Sequence, residues 1–256
     1  ANTTADYNTA LGESALLVNT TGHSNTAVGA QALDANTTAN QNTAVGYLSL
    51  SANTTGYQSV AVGANALQAN TDGIVNTAIG AEALDANTTG SKNVAVGKGA
   101  LSSNTTADSN VAMGWDALEA NTTGSENTAI GTQALQTNVT DSANTAVGYR
   151  ALESSNGGEY NTAVGSRCLE DTTTGDSNNA LGYNALHSNT TGSSNVAMGH
   201  NALFTNTTAN YCVAIGRGAL YTSNADKNTA VGYQALEDNT GSDNTAVGYL
   251  AANKNT

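Results

Sequence analysis

The pentapeptide N-T-A-V-G, or a close variant of it, recurs along the entire chain, and its glycine sets a frame. The anchoring glycines are Gly12, Gly29, Gly46, Gly63, Gly80, Gly97, Gly114, Gly131, Gly148, Gly165, Gly182, Gly199, Gly216, Gly232 and Gly248. The first twelve intervals between them are seventeen residues and the last two are sixteen. A fixed period of this length marks a repeat array, in which one small unit stacks on the next. The consensus is N-T-A-V-G-x-x-A-L-x-x-N-T-T-G-x-x, and its slots are numbered here from 1, the first asparagine, to 17. No stretch falls outside this frame, so residues 1–256 read as a single array without a linker.

The slots ask for particular side chains. Slots 3 and 5 are alanine and glycine in all fifteen repeats, as at Ala27, Ala44, Gly29 and Gly46. Slot 4 is aliphatic or methionine, as at Val28 and Val45. Slot 9 is leucine, as at Leu33 and Leu50, except for Ala252 in the last repeat. Slot 2 is threonine or valine apart from Asn179. Such β-branched residues favour strand, so T-A-V predicts a short strand with slots 2 and 4 on one face and slot 3 on the other. Glycine ends it, where the backbone must turn or approach a neighbour closely. The A-L of slots 8 and 9 is a second apolar patch, and N-T-T-G closes the circuit. A helix does not accommodate β-branched runs, glycine and N-T-T-G at this density.

One repeat cannot fold alone, because ordering seventeen residues costs more than burying one valine, one leucine and a few methyl groups returns. Stacking supplies the rest: each strand pairs with its equivalent one repeat away, and the aliphatic slots align as a continuous core. The expectation is an all-β parallel β-solenoid with about fifteen 17-residue coils. Its length would be roughly 70 Å at about 4.8 Å per coil. Asparagine fills slot 1, as at Asn25 and Asn42, with Ser59 and Cys212 as exceptions, and most of slot 12, as at Asn36 and Asn53. Stacked amides predict hydrogen-bonded ladders that also satisfy turn backbone. N-x-T glycosylation sequons coincide with the N-T-T turn, at Asn2, Asn19, Asn36 and Asn53 among others. A glycan is wider than one strand spacing, so the structural reading of these asparagines prevails.

Composition narrows the function. Charged residues make up 11% of the chain, and 20 acidic against 7 basic residues give a net charge of −13. Nucleic acid is disfavoured as a partner, since phosphate neutralisation needs clustered Lys and Arg. No run approaches the roughly 18 apolar residues of a membrane span, so no membrane insertion is expected. The chain begins at Ala1 and shows no signal peptide, and reads as a processed or excised segment. It enters the frame at slot 11 and stops at slot 13, so it reads as uncapped at both ends; Ala252 and Lys254 weaken the last coil only mildly. An uncapped solenoid is either a piece of a longer array or a unit that stacks end to end into a filament.

Chemistry is scarce. His23, His187 and His200 occupy slots 16, 10 and 6 and read as solvated surface. Cys168 and Cys212 lie three coils apart, about 14 Å at the strand spacing, beyond the roughly 7 Å a disulfide spans. They read as free thiols, with Cys168 buried. Slot 10 carries many acids, with only Glu153 and Glu170 on neighbouring coils. The glycine-rich nonapeptide of calcium β-rolls is absent. No nucleophile, base and orienting acid recur together, so neither catalytic residues, metal ligands nor a cofactor are expected. Slot 6 varies most and reads as solvent-facing. Its neighbouring aromatics Tyr233 and Tyr249 are a candidate ligand surface that could stack on sugars, and Phe204 and Tyr221 form a similar pair at slot 10.

The phrase N-T-A-V-G-x-x-A-L resembles the head repeats of trimeric autotransporter adhesins of the YadA type. Similar arrays occur in phage tail fibres and bacterial surface fibres. The resemblance implies a left-handed β-roll, homotrimeric assembly, a cell-surface or virion-fibre location and a role in adhesion. The coil here is longer, and the chain carries neither a heptad stalk nor a membrane anchor. The favoured expectation is a non-enzymatic subunit or segment of an extracellular fibre whose partner is itself. The alternatives are an adhesin or tail-fibre head that binds a cell-surface glycan or receptor, and an ice-binding protein. The adjacent T-T of slots 13 and 14 points its hydroxyls to opposite sides, which disfavours the last.

Overall fold

Each repeat contributes one three-residue strand, and no helix interrupts the series in the computed structural model, which describes residues 4–255. The fifteen strands built from the T-A-V phrase are parallel and lie about seventeen residues apart, so the fold is a parallel β-solenoid of about fifteen turns. The start of the frame at Ala1, the sequon at Asn2, and Thr256 lie outside the described residues.

The chain forms two compact units, Ala1–Glu126 and Asn127–Thr256. Their boundary falls between slot 17 and slot 1, where one repeat meets the next. The first unit holds β1 (Thr9–Leu11), β2 (Thr26–Val28), β3 (Thr43–Val45), β4 (Val60–Val62), β5 (Thr77–Ile79), β6 (Val94–Val96) and β7 (Val111–Met113). Its strands pair in sequence order and in strict register: Val28 faces Val45, and Val45 faces Val62. The second unit holds β8 (Thr128–Ile130), β9 (Thr145–Val147), β10 (Thr162–Val164), β11 (Asn179–Leu181), β12 (Val196–Met198), β13 (Val213–Ile215) and β14 (Thr229–Val231). It also holds β16 (Thr245–Val247) and the two-residue strands β15 (Asp238–Asn239) and β17 (Lys254–Asn255), which pair with each other. The sixteen-residue repeats keep the register, with Val213 opposite Thr229.

The inside of each coil differs from the sequence expectation. Ala27, Ala32 and Leu33 are fully buried, as are Ala44 and Leu50, but the slot-4 aliphatics point outward. Val28 and Val45 are half-buried, while Ile79 and Met113 remain 41% and 42% exposed. The pleat places slots 2 and 4 together as foreseen, but on the outer face. Slot 9 leucines and the asparagines of slots 1 and 12 already fill the narrow interior, which leaves room on the strand side for a methyl group only. The aliphatic residues thus divide into an inner leucine column and an outer valine-rich stripe.

Positive φ recurs at slots 5, 7, 9 and 17. In the second repeat these are Gly29 (140°), Gln31 (57°), Leu33 (51°) and Gln41 (60°). Gly29 is required twice over, since its φ is hostile to a side chain and a Cβ there would overlap the Gly46 carbonyl. A buried leucine in the left-handed region is uncommon, because Cβ then crowds the following carbonyl. Stacking holds it: the Leu33 amide donates to the Ser49 carbonyl of the next coil at 3.1 Å.

The two asparagine columns divide the polar work. At slot 12, Asn36 Nδ2 donates to Asn19 Oδ1 at 2.9 Å, Asn70 to Asn53 at 2.9 Å and Asn87 to Asn70 at 2.8 Å, an amide ladder inside the first unit. The slot-1 column works differently. Asn25 Nδ2 donates across its own coil to the Ala39 carbonyl at 2.8 Å, closing the turn. Its Oδ1 accepts the backbone N–H of Asn42 at 2.9 Å, joining it to the next coil. Sequon asparagines from Asn19 onward at slot 12 are thus buried and hydrogen-bonded, which leaves their amides no room for a glycan.

Candidate functional site

Two surfaces carry side chains that the fold itself does not consume. The first is the outward face of the strands. In the first unit it presents Thr26 and Val28, Thr43 and Val45, Val60 and Val62, Thr77 and Ile79. In the second unit Ile130, Leu181 and Met198 are 37%, 47% and 40% exposed. No charged residue occupies slot 2 or slot 4 in any repeat. Exposed aliphatics in continuous columns are unusual on a monomer surface. A shallow concavity of about 220 Å³ opens in this stripe where Asn179 replaces the usual β-branched residue, walled by Val164, Leu181, Val196 and Met198.

The second surface is the edge formed by slots 6, 7 and 10 in the second unit. At one part of it an ionic network gathers around Glu170. Arg150 lies 3.5 Å from Glu153 and 3.7 Å from Glu170; Arg167 lies 3.7 Å from Glu170. His187 Nε2 sits 3.0 Å from Glu170 Oε2, and its Nδ1 is 3.4 Å from Asp171. His187, expected as solvated surface, is therefore drawn into this network and half-buried. Burial raises the Glu153 carboxyl above its ordinary value, Arg150 opposes this, and the charge of Glu170 adds to it. Arg150 and Arg167 thus both stand within 3.7 Å of Glu170 on the same edge. Among the described residues no group of three or more His, Cys, Asp or Glu could hold a metal ion.

Further along the same edge the side chains become aromatic. Tyr183 and His200 stack at slot 6 with ring centroids 5.3 Å apart. Phe204 and Tyr221 stack at slot 10 at 5.2 Å and 11°, and His187 tilts against Phe204 at 5.2 Å. Tyr233 and Tyr249 stack at 5.3 Å and 13°, with the Arg217 guanidinium 5.9 Å from the Tyr233 ring centre. The structure thus stacks both pairs named from the sequence, Tyr233 on Tyr249 and Phe204 on Tyr221, and adds Tyr183 and His200 to the same edge. His187 and His200, read from the sequence as solvated surface, stand on adjoining repeats. Counting the interval between Gly182 and Gly199 would have found this.

The remaining candidates are structural. Asn25, Asn42, Asn36, Asn53, Ala27, Ala44, Leu33 and Leu50 are buried within coils, and Gly29 and Gly46 sit at the strand ends. Both cysteines are buried and free. Burial pushes the Cys168 thiol up to about 12, and it also raises that of Cys212, whose Sγ donates to the Ala225 carbonyl at 3.3 Å.

No protein-family model, curated protein or solved structure matches the chain. Among the described residues no helix is long and apolar enough to cross a membrane.

Proposed function

We propose that this protein is a non-enzymatic structural element of an extracellular or surface fibre, with copies of itself as its main partner. The observation that carries the reading is the uncharged aliphatic stripe on the outer strand face. The rest of the chain bears a net charge of −13, so two copies repel one another over most approaches. The stripe lets them meet without opposing carboxylates. Its side chains repeat at the strand spacing, so an identical stripe interleaves with it, ridge into groove, as in paired β-sheets. End-to-end stacking of coils and homotrimeric packing are two ways to build such a fibre from this chain. Electron microscopy of the purified chain tests the reading. Filaments or bundled rods are expected, and dispersed single particles at every concentration would refute it.

A second reading is favoured by the aromatic edge of the second unit: an adhesin or tail-fibre head that binds a cell-surface glycan. Stacked tyrosines offer flat apolar rings with polar tips, a surface suited to the C–H faces of sugars. The two readings use different faces, so one chain can serve both.

A further inference from the structure

The slot-7 column of the second unit has a hole in it. Asn184, Asn201 and Gln234 place side chains there at φ of 53°, 56° and 49°, but the residue between the last two is Gly218, at φ 66°. Left-handed backbone does not explain this glycine, because its column neighbours adopt the same conformation with side chains attached. Backbone does not crowd it either: a Cβ on Gly218 would meet only Gln234 Cγ, at 3.2 Å, a tight contact that a small shift of this flexible side chain relieves. The other slot-7 glycine, Gly99, differs, since Asp116 Oδ1 already occupies the place of its missing side chain. At Gly218 the absent side chain leaves a notch of about 90 Å³.

The walls of this notch are chemically mixed. Asn201 and Gln234 bound it along the column, Arg217 and His200 stand on the slot-6 side, and Tyr221 and Glu237 on the slot-10 side. Glu237 is held in place by Gln234 Nε2 on one oxygen and by Asn253 Nδ2, at 2.8 Å, on the other. Tyr221 is stiffened by its stack on Phe204 and presents a ring at the rim.

We infer that the notch at Gly218 binds the hydroxyl-bearing edge of a neutral hexopyranose at the end of a glycan. The inference rests on the adhesin reading above and gives it a site and a ligand class. The size decides how much of the sugar enters. The volume equals that of about three waters, enough for a hydroxymethyl arm and its neighbouring hydroxyl but not for a whole ring. The ring stays outside with its C–H face on Tyr221. Its hydroxyls donate to Glu237 and accept from Arg217 and Gln234. A neutral sugar fits because the one guanidinium faces a carboxylate across the notch, on a chain of net charge −13.

The test uses the full chain and the methyl glycosides of glucose, galactose and mannose, read by saturation-transfer NMR, together with an array of immobilised oligosaccharides. At least one glycoside is expected to receive saturation, most strongly at its hydroxymethyl protons. Gly218→Asn fills the notch with a side chain that Asn201 already carries in the same left-handed region. It should cut binding at least ten-fold with an unchanged thermal midpoint, while Tyr47→Ala, at an exposed ring of the first unit, keeps it. Should Gly218→Asn fail to fold, Arg217→Thr decides by the same ten-fold criterion, since Thr132 occupies this slot in another coil. Binding that survives these substitutions overturns the notch and leaves the adhesin reading standing. Binding only to acidic sugars overturns the ligand class. Silence from every glycoside and every array spot overturns the notch and the adhesin reading together.

Discussion

Asn36 donates its side-chain amide to the carbonyl oxygen of Asn19, 2.9 Å away and seventeen residues earlier in the chain. The same bond repeats along slot 12, so each amide both gives and receives. Removing one link strands its neighbours. Asn87 donates to Asn70 Oδ1 and to the Gly90 carbonyl, and accepts from Asn104, all within 2.9 Å. Asn87→Ala is expected to cost about 1–3 kcal/mol for each buried group left unpaired. Thr38→Ala, at an exposed turn position, should change stability by less than about 0.5 kcal/mol. Denaturant unfolding checks the pair, and equal losses would show that the ladder contributes nothing.

The ladder has natural gaps in the second unit, where Ser155 and Thr172 stand at slot 12. Both hydroxyls are buried without a hydrogen-bond partner. Asn189, on the coil after Thr172, has its Nδ2 bonded to the Gly192 carbonyl at 2.9 Å, as other members of the column do within their own coils. Thr172→Asn should restore the link and stabilise the protein by about 0.5–1.5 kcal/mol. A raised thermal midpoint is the expected result; a lowered one would mean that this coil is too tight for an amide.

Burial raises the Asp85 carboxyl above its ordinary value, the nearby charge of Glu82 adds to the effect, and hydrogen bonds from the Asp85 and Ala86 backbone oppose it. A group whose folded-state pKa is raised favours the folded state below its unfolded value, near 4, and loses that contribution as pH rises through the folded value. The ionised carboxylate therefore costs stability at neutral pH. Asp85→Asn is expected to raise the thermal midpoint at pH 7, with the advantage shrinking toward pH 3.5. An advantage that is the same at both pH values would contradict the burial argument.

Much of the fold is legible in the sequence, because the period is strict. A strand at T-A-V, the turn at Gly29 and the register of Val28 on Val45 all follow from identical residues needing identical neighbours. The orientation of the strand was not legible. Hydrophobicity alone places Val28 inside and Ala27 outside, whereas the volume of Leu33, Asn25 and Asn36 inside the coil dictates the reverse. Leu33 at φ 51° was hidden as well, since nothing in a leucine announces a left-handed backbone. On the candidate site, the aromatic pairs could be seen by counting slots. The Gly218 notch could not, because Gly99 interrupts the same slot and is filled by Asp116.

Self-association through the outward stripe is the central functional claim, and sedimentation velocity tests it most directly. Ile79 and Ile130 stand on that stripe, 41% and 37% exposed, one in each unit. The wild-type chain is expected to sediment as assemblies whose size grows with concentration, and the Ile79→Lys, Ile130→Lys double variant as a monomer with an unchanged circular dichroism spectrum. A monomeric wild type, or a double variant that assembles as well as the wild type, would contradict the account.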